Sequence, residues 1–430
     1  MDYDLVVIGA GWAGFTAALK AKELGLKVAL IEQKDIGGTC LNRGCIPTKV
    51  LVQSAKVYSL VRKSKIFGID TVDPKVNFGE IQRRKDKVIQ QLRTGIESML
   101  KGIDLLYGGA QLSSCDTIKV NDKEIKARSI IIATGSKPLE LPQIRFDHEK
   151  ILSSDDILNL KDIPGKLLVI GGGVIGCEFA SIFSSLGSQV HIVEKMPQLL
   201  PLEDKDIARR LETAFKKRKI GVCTNTDAST VKPDDYDKIL LCVSRTPDTA
   251  GLGLEKCSIK TEKGKILVDE HLATNVSNIY AAGDCTGKVM LAHYAAYQGK
   301  ICAENIVNSE SPKKADNTNI PNCIFTDPEI SSVGLNEEQA KNKGVDVAIH
   351  KFDFLGSGMA RILDETDGFI KIVSDKKSDQ ILGASIIGPK ATELIGVLTL
   401  AVSSSMKTSQ VKEVIFAHPT LSESIKEALG

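Results

Sequence analysis

Two cysteines near the N-terminus have the spacing of a reactive pair. Residues 37–49 read GGTCLNRGCIPTK, so Cys40 and Cys45 are five positions apart. A regular helix would hold their Cα atoms about 7.5 Å apart along its axis, which is too far for a disulfide without distortion. Glycines before and between the cysteines make that distortion accessible. A strained disulfide is easily reduced, which is typical of a catalytic bond; two reduced thiols in a loop are the alternative.

A second candidate for this chemistry lies close to the C-terminus. Residues 416–423 read FAHPTLSE, and an imidazole is the natural base for thiol chemistry near neutral pH. His418 is therefore a candidate general base. Thr420 and Glu423 have the spacing of a capping box that opens a helix, so a purely structural role is one interpretation of Glu423.

An internal repeat indicates which elements position these residues. Residues 5–32 read LVVIGAGWAGFTAALKAKELGLKVALIE, and residues 167–194 read LLVIGGGVIGCEFASIFSSLGSQVHIVE. Every glycine of the turn and the final acid recur 162 positions later: Gly9, Gly11, Gly14 and Glu32 become Gly171, Gly173, Gly176 and Glu194. Each copy reads as a strand, a tight glycine turn, a helix and a second strand that ends in a carboxylate.

This pattern predicts two sites for dinucleotides. The first glycine permits the turn, the second lets the backbone approach a pyrophosphate, and the third lets the helix pack on the strand. Phosphates bind at the helix N-terminus, where free N–H groups and the helix dipole favour an anion. The terminal carboxylate accepts hydrogen bonds from ribose hydroxyls. Two ordinary glycine turns would not explain the repeated acids, so two different dinucleotides are expected.

Two further segments resemble parts of flavoproteins. Residues 274–284, TNVSNIYAAGD, resemble a second FAD fingerprint in which Asp284 binds the sugar-like chain of the flavin. The stretch Ile130–Ser136, IIIATGS, resembles the strand and turn that re-enter the FAD domain. The resemblance implies an FAD domain that the second repeat interrupts. The expected boundaries are 1–147 for the first part of the FAD domain, 148–270 for the NAD domain, 271–315 for the second part of the FAD domain, and 316–430 for an interface domain.

The cysteine segment resembles the redox signature of the pyridine nucleotide–disulfide oxidoreductases, and its form GGTCLN.GCIP.K is nearest to that of the dihydrolipoamide dehydrogenases. The implied fold is α/β, with two Rossmann-like domains, for FAD and NAD, and a C-terminal α+β dimerisation domain. Six catalytic residues are carried over: Cys40 to exchange with substrate, Cys45 as the thiolate beside the flavin, Lys49 near flavin nitrogen 5, its partner Glu178, and His418 with its orienting Glu423. A structural explanation is also open for Glu178, as a carboxylate in the first turn of a helix that the helix dipole stabilises.

The same resemblance and the repeat together give the cofactor sites. The residues expected to hold FAD are Gly9, Gly11, Gly14, Glu32, Gly38, Thr39, Lys49, Thr134, Gly135, Asp284 and His293. Those expected to hold NAD are Gly171, Gly173, Gly176 and Glu194. NAD is favoured over NADP because the carboxylate of Glu194 would repel a 2′-phosphate and no arginine follows before Arg209. No metal site is predicted.

The implied activity is oxidation of dihydrolipoamide on a carrier protein, with reduction of NAD⁺ through the disulfide and FAD. The expected partners are a lipoyl carrier domain or the acyltransferase core of a 2-oxo acid dehydrogenase complex, or the carrier protein of glycine cleavage. In the family the base reaches the disulfide of the other subunit, so a homodimer is expected. Two alternatives stay open: another NAD(P)H-dependent disulfide reductase of the family, and a flavin-fold scaffold protein without turnover.

The composition limits the possible partners and location, and the sequence departs from the family pattern at two places. Lys and Arg number 56 against 54 Asp and Glu, a net charge of +2, so no nucleic-acid partner is expected. No apolar run approaches the length of a membrane span, and no basic region precedes Leu5–Ile8, so a cytoplasmic protein is expected, with a removed transit peptide as the alternative. The family's usual excursion before strand Lys238–Val243 is short here, and Ser244 replaces a glycine.

Overall fold

The computed structural model describes residues 1–430. Its strands are β1 Tyr3–Ile8, β2 Val28–Glu32, β3 Asp104–Tyr107, β4 Ala110–Ser114, β5 Thr117–Val120, β6 Lys123–Ile132, β7 Ser136–Pro138, β8 Ile151–Leu152, β9 Lys166–Ile170, β10 Gln189–Val193, β11 Gly221–Cys223, β12 Lys238–Leu241, β13 Arg245–Pro247, β14 Thr261–Glu262, β15 Lys265–Ile266, β16 Ile279–Ala281, β17 Asn322–Ile324, β18 Glu329–Gly334, β19 Val347–Asp353, β20 Phe369–Asp375 and β21 Ile381–Gly388. The α-helices are α1 Trp12–Glu23, α2 Gly38–Arg43, α3 Cys45–Arg62, α4 Phe78–Met99, α5 Val174–Leu186, α6 Lys205–Lys217, α7 Ala292–Val307, α8 Glu337–Asn342, α9 Gly358–Ile362, α10 Ala391–Ser403, α11 Thr408–Lys412 and α12 Glu423–Leu429. None of the helices combines the length and apolarity needed to cross a lipid bilayer.

The first repeat builds a sheet whose parallel part has the order β3-β2-β1-β6-β16. Strands β1 and β2 are buried almost throughout, as expected for a parallel sheet covered on both faces. The first half of β6 leaves this plane and pairs antiparallel with β5, which in turn pairs with β4. Strand β16 returns to this sheet after a second sheet has intervened in the chain.

The second repeat forms a separate, fully parallel sheet of order β11-β10-β9-β12-β8. Helix α5 follows β9 directly through the second glycine turn and buries most of its residues, including Glu178. Between β11 and β12 the chain makes only two short 3₁₀ turns, Ala228–Thr230 and Pro233–Asp235. This is the short excursion before strand Lys238–Val243 that the sequence predicted.

The third sheet is antiparallel and has the order β17-β18-β21-β20-β19. Helix α10 packs on it and contributes Leu394, Leu398 and Val402 to its core. The sequence pattern indicates strands near Phe369–Val373 and Ile381–Ile387 and a helix near residues 392–403, and the structure has β20, β21 and α10 there.

Residues 245–266 belong with the first sheet rather than the second. Strand β13 pairs antiparallel with β7, and Leu252, Leu254 and Ile266 lie in the same apolar cluster as residues of β1 and β6. The predicted domain boundaries stay a proposal. These pairings favour ending the NAD domain near residue 243 rather than at residue 270.

Candidate active site

The two glycine turns have the same backbone geometry. Gly9 has φ +102° and Gly171 has φ +112°, a region that residues with a Cβ rarely adopt. A Cβ on Gly14 would lie 1.7 Å from the carbonyl oxygen of Gly9, and one on Gly176 would lie 1.9 Å from that of Gly171. The first and third glycines of each turn are therefore required by the fold.

The middle glycines border open space. The nearest atom to a Cβ built on Gly11 is the Cα of Gly38, at 3.9 Å, and no atom lies within 4 Å of one built on Gly173. Each glycine precedes the first residue of a helix, α1 or α5. The unpaired N–H groups of that first turn are thus left accessible to a phosphate.

The carboxylate that ends each repeat also braces its own glycine turn. Glu32 accepts hydrogen bonds from the backbone N–H groups of Ala10 at 2.7 Å and Lys34 at 2.8 Å. Glu194 accepts the two equivalent bonds, at 2.6 and 2.7 Å, from N–H groups 162 residues later. The sequence predicted only a ribose-binding role. Because each oxygen has two lone pairs, bracing the turn leaves capacity for a ribose hydroxyl.

A buried polar cluster lies at the carboxyl ends of β6 and β16. Ser136 donates a 2.6 Å hydrogen bond to Asp284 and accepts one of 2.8 Å from Nε of Arg245. Burial raises the pKa of the Asp284 carboxyl. The Thr134 hydroxyl and the Gln298 amide nitrogen are buried without a hydrogen-bond partner. Unpaired buried polar groups are unfavourable, so this cluster is suited to a polar ligand.

Arg245 was not predicted from the sequence. Nothing in its local segment connects it to Ser136, which is 109 positions away. Two other predicted residues have defined positions in these elements. Gly135, between β6 and β7, has φ +75°, and His293 is in the first turn of α7, where burial lowers its pKa.

The reactive cysteines flank a break between two helices. Helix α2 ends at Arg43 and α3 begins at Cys45, with Gly44 between them at φ −143° and ψ −111°. A Cβ on Gly44 would lie 3.0 Å from the carbonyl oxygen of Thr39 and 3.3 Å from the Cα of Cys40. The predicted distortion of the segment is therefore located at Gly44. Both cysteines are free thiols here, and their sulfurs are in hydrogen-bond contact, so the disulfide stays a prediction.

The two thiols are electrostatically unequal. The hydrogen bond from Cys40, aided by the positive charge of Lys49, lowers the pKa of Cys45 to about 7 against the opposing effect of burial. The same hydrogen bond, together with burial, raises the pKa of Cys40. Near neutral pH the pair therefore carries its negative charge on Cys45, while Cys40 keeps the proton.

Lys49 and Glu178 form the ion pair that the resemblance implies. The Lys49 Nζ lies 3.0 Å from both carboxylate oxygens, and the Glu178 side chain is 5% exposed. Burial opposes the charge on Lys49, but the negative charges of Glu178 and Cys45 together outweigh it and raise the pKa of the amine. Glu178 also accepts a 2.8 Å hydrogen bond from the backbone N–H of Phe325, and the Lys49 Nζ lies 4.6 Å from the centre of the Phe325 ring. Helices α3 and α5 and the residue that follows β17 thus meet at this ion pair, and Phe325 was not predicted.

His418 and Glu423 form a pair apart from the cysteines. The Nδ1 atom of His418 lies 2.8 Å from one oxygen of Glu423, while the other oxygen accepts from the backbone N–H of Thr420 at 3.1 Å. This hydrogen bond to His418 lowers the pKa of the Glu423 carboxyl. Glu423 thus bonds both His418, as an orienting residue would, and the backbone of Thr420, as in a capping box, and its orienting role stays a prediction. The His418 side chain is 80% exposed, and its one hydrogen bond is the one to Glu423.

Comparison with known proteins covers nearly the whole chain. Residues 3–299 match the model of the pyridine nucleotide-disulphide oxidoreductase family, and residues 320–429 match the dimerisation domain of that family. The chain belongs to this family. The predicted fold class, the oxidoreductase activity and the cofactors FAD and NAD are those of the family and are thereby confirmed.

Individual relatives agree with this assignment. The chain is 41% identical to a dihydrolipoyl dehydrogenase of Chlamydia trachomatis serovar D over 98% of its length and 95% of the relative's. It is 38% identical to one from Bacillus subtilis strain 168, with coverage of 99% and 97%. The fold is also similar to that of the HOCl-induced flavoprotein disulfide reductase RclA from Escherichia coli, with a TM-score of 0.89 and 31% identity over 99% of both chains.

The residues predicted to bind the cofactors offer groups that suit the two dinucleotides. The open glycine turn at Gly11, the braced Glu32 and the buried cluster around Asp284 offer N–H donors, a carboxylate and unpaired polar atoms to FAD. The turn at Gly173 and the braced Glu194 offer the same groups to the nicotinamide cofactor. The fit therefore rests on groups that the fold leaves accessible or unpaired.

Proposed function

We propose that this chain is a dihydrolipoamide dehydrogenase, which oxidises dihydrolipoamide on a carrier protein to lipoamide and passes two electrons to NAD⁺. The observation that carries the proposal is the unequal thiol pair, in which Lys49 and the Cys40 hydrogen bond hold the pKa of Cys45 near 7. Such a pair is suited to a dithiol substrate, because one sulfur can exchange while the other leaves as a thiolate. The names of the relatives at 38–41% identity support the same substrate.

The residues divide the work of thiol exchange. His418 takes a proton from a substrate thiol, and Glu423 holds the imidazole in the required tautomer and stabilises its charge. The substrate thiolate attacks the Cys40 sulfur of the Cys40–Cys45 disulfide, forming one S–S bond and breaking another, and Cys45 leaves as a thiolate beside Lys49. The second substrate thiol then displaces Cys40. FAD, when bound, supplies the two-electron chemistry that connects this dithiol to NAD⁺.

We infer that each active site is shared between the two subunits of a homodimer. His418 is exposed and makes no hydrogen bond to either cysteine of its own chain. It lies in the segment that matches the dimerisation domain. In this arrangement His418 of one subunit serves the Cys40–Cys45 pair of the other.

The carrier is proposed to be a lipoyl domain or the acyltransferase core of a 2-oxo acid dehydrogenase complex, or the carrier protein of glycine cleavage. In this proposal lipoamide arrives on that separate carrier chain. The cytoplasmic location stays a prediction from the N-terminal sequence.

A second candidate function is reduction of a disulfide by NAD(P)H. The likeness to the flavoprotein disulfide reductase RclA, with a TM-score of 0.89, favours it. The two functions use the same thiol pair and differ in substrate and in the preferred direction of electron flow.

Steady-state assays in both directions distinguish these candidates. Purified protein with bound FAD is given dihydrolipoamide and NAD⁺, and NADH formation is followed by absorbance. A parallel assay follows oxidation of NADH or NADPH with a panel of small disulfides. We expect saturable NADH formation that is lost in Cys40→Ser. Turnover of a small disulfide without any oxidation of dihydrolipoamide would replace the first function by the second.

A further inference from the structure

The first glycine turn carries the one tryptophan of the chain. Trp12 follows Gly11 directly and is the first residue of α1. Its ring packs at 5.3 Å from that of Phe15, one turn further along the helix. The loop that carries it lies against the start of α2, because a Cβ on Gly38 would come within 2.7 Å of the Cα of Gly11. The indole is therefore held at the junction between the glycine turn and the helix that bears Cys40.

The indole N–H of Trp12 is buried and has no hydrogen-bond partner. Indole nitrogen is a donor only, and a buried donor without an acceptor is unfavourable. The reactive group within its reach is the sulfur of Cys40: the hydrogen bond with Cys45 and burial raise the pKa of this thiol, and the indole opposes them. Against a neutral thiol, a weak acceptor, this contact falls short of a proper hydrogen bond. A thiolate is a much stronger acceptor, since hydrogen bonds to ionised groups are shorter and stronger.

We propose that Trp12 is a catalytic donor to Cys40: its indole N–H hydrogen-bonds the Cys40 thiolate that forms when substrate is released from its mixed disulfide. This inference rests on the proposed exchange with a dithiol. In that step the second thiolate of the substrate attacks the substrate sulfur bound to Cys40. A new S–S bond closes lipoamide, the old S–S bond breaks, and its electron pair stays on Cys40.

The unpaired state of the donor before this step is what makes it useful. An interaction that is weak with the thiol and strong with the thiolate stabilises the charged state selectively, and only such differential interactions accelerate a reaction. Lys49 serves the other sulfur in the same way, since its charge lowers the pKa of Cys45. Each sulfur of the pair would thus have its own stabilising group when it leaves.

The test isolates Cys40 in a Cys45→Ser background with bound FAD. The rate of alkylation of Cys40 by iodoacetamide is measured against pH, with the modified residue identified by peptide mass spectrometry. Trp12→Phe retains an aromatic ring beside Phe15 but, by replacing the indole with a smaller ring, removes the N–H. We expect it to raise the pH midpoint of alkylation by about one unit, the shift typical of losing a hydrogen bond to a charged group. The matched control, Phe15→Leu, disturbs the ring packing but keeps the donor, and we expect its midpoint to be unchanged.

A second measurement needs no substitution of Trp12. Because the chain has one tryptophan, the intrinsic fluorescence of the Cys45→Ser protein reports on this indole alone. We expect its emission to change with pH at the same midpoint as alkylation, and this change to disappear when Cys40 is also replaced by serine. An identical alkylation midpoint in Trp12→Phe, or emission that does not respond to ionisation of Cys40, would overturn the inference.

Failure of the proposed function can be distinguished from failure of the inference about Trp12. If the wild-type protein does not oxidise dihydrolipoamide, that function is wrong, yet the two midpoints still report whether Trp12 stabilises the Cys40 thiolate. If wild type turns over, we expect Trp12→Phe to lower kcat about tenfold, the equivalent of one pH unit, with KM little changed. An unchanged kcat would remove Trp12 from the mechanism.

Discussion

Glu423 holds the Nδ1 atom of His418 at 2.8 Å, leaving Nε2 as the nitrogen that faces outward. Because the Glu423 carboxyl has a lowered pKa, owing first to this hydrogen bond, it is ionised at neutral pH and Nδ1 carries the proton. The imidazole is therefore fixed in the tautomer whose free nitrogen can accept a proton.

Replacing this pair should slow the thiol half-reaction selectively. We expect His418→Ala to lower kcat with dihydrolipoamide by about 10²–10⁴-fold, the usual effect of losing a general base. Glu423→Gln should give a smaller loss, because the amide oxygen accepts the same bond without a charge to stabilise the imidazolium. Stopped-flow reduction of the bound flavin by dihydrolipoamide measures this step. Reduction by NADH serves as the control, and an equal loss there would contradict a role confined to the substrate thiols.

The thiol pair should titrate near neutrality. Since the hydrogen bond from Cys40 and the charge of Lys49 hold the pKa of Cys45 at about 7, alkylation of Cys45 in reduced protein should be half-maximal near pH 7, slow at lower pH and fast above it. Lys49→Met removes the cation, so the midpoint should move upward by about one to three units. Lys56→Met, on the same helix but absent from the groups that shift this thiol, is the matched control. No movement in Lys49→Met would mean that the amine does not act on this sulfur.

A shared active site predicts complementation between two inactive variants. Cys40→Ser lacks the exchanging thiol, and His418→Ala lacks the base, so each homodimer should be nearly inactive. Random reassembly makes half of the dimers mixed, each with one of two sites intact, so roughly a quarter of wild-type activity should return. Differently tagged subunits verify the exchange by mass. If mixed dimers form and no activity returns, the base and the thiols belong to one chain.

Glu194 should make the enzyme prefer NAD⁺. Its carboxylate is buried and braced by two backbone N–H groups, so it cannot move away from a 2′-phosphate. The lost ribose bond and the added repulsion should cost about 1.5–3 kcal/mol, or roughly a 10–100-fold lower kcat/KM with NADP⁺ than with NAD⁺. Steady-state rates with both cofactors give this ratio. Equal efficiency would show that Glu194 does not meet the ribose.

Lys371 should be a stability determinant far from the chemistry. Its side chain is 4% exposed and lies within 2.9–3.0 Å of carboxylates of Asp204, Asp206 and Glu337. Their hydrogen bonds outweigh its burial and raise the pKa of the amine. Lys371→Met leaves these carboxylates uncompensated, with an expected apparent loss of about 3–5 kcal/mol in urea unfolding.

The matched control for this variant is Lys205→Met. Lys205 pairs with Glu338 at 2.7 Å, but their side chains are 64% and 58% exposed, so little change is expected. Equal destabilisation by both variants would mean that burial of the Lys371 ion pairs does not increase their contribution to the free energy of unfolding.

The structural features that depend on local sequence patterns could be predicted from the sequence. The glycine turns followed from the repeat, and the break at Gly44 followed from the distance between two cysteines in a helix. The spacing of Thr420 and Glu423 indicated the capping bond, which is present, whereas the pairing of Glu423 with His418 followed from the resemblance to the family. Each of these features depends on residues within one turn or one strand–helix unit.

Contacts between distant segments were not predictable in this way. Phe325 reaches Glu178 through a backbone N–H, which every residue except proline has, across 147 positions. Arg245 meets Ser136 because β13 pairs with β7, and that pairing also explains why residue 270 is a poor end for the NAD domain. Such contacts arise from tertiary packing, and no periodicity in the chain signals them.

The attachments of the second sheet's domain have a mechanical consequence. Glu178 ties α5 to the third domain through Phe325 and to the first through Lys49, while Lys371 ties the start of α6 to the third domain at another point. A body pinned at two points can turn only about the line that joins them, and the link to the first domain resists even that. Swinging this domain open would separate the ion pairs Lys49–Glu178 and Lys371–Asp204. We therefore expect the nicotinamide cofactor to enter and leave past side chains and loops, while this domain keeps its position.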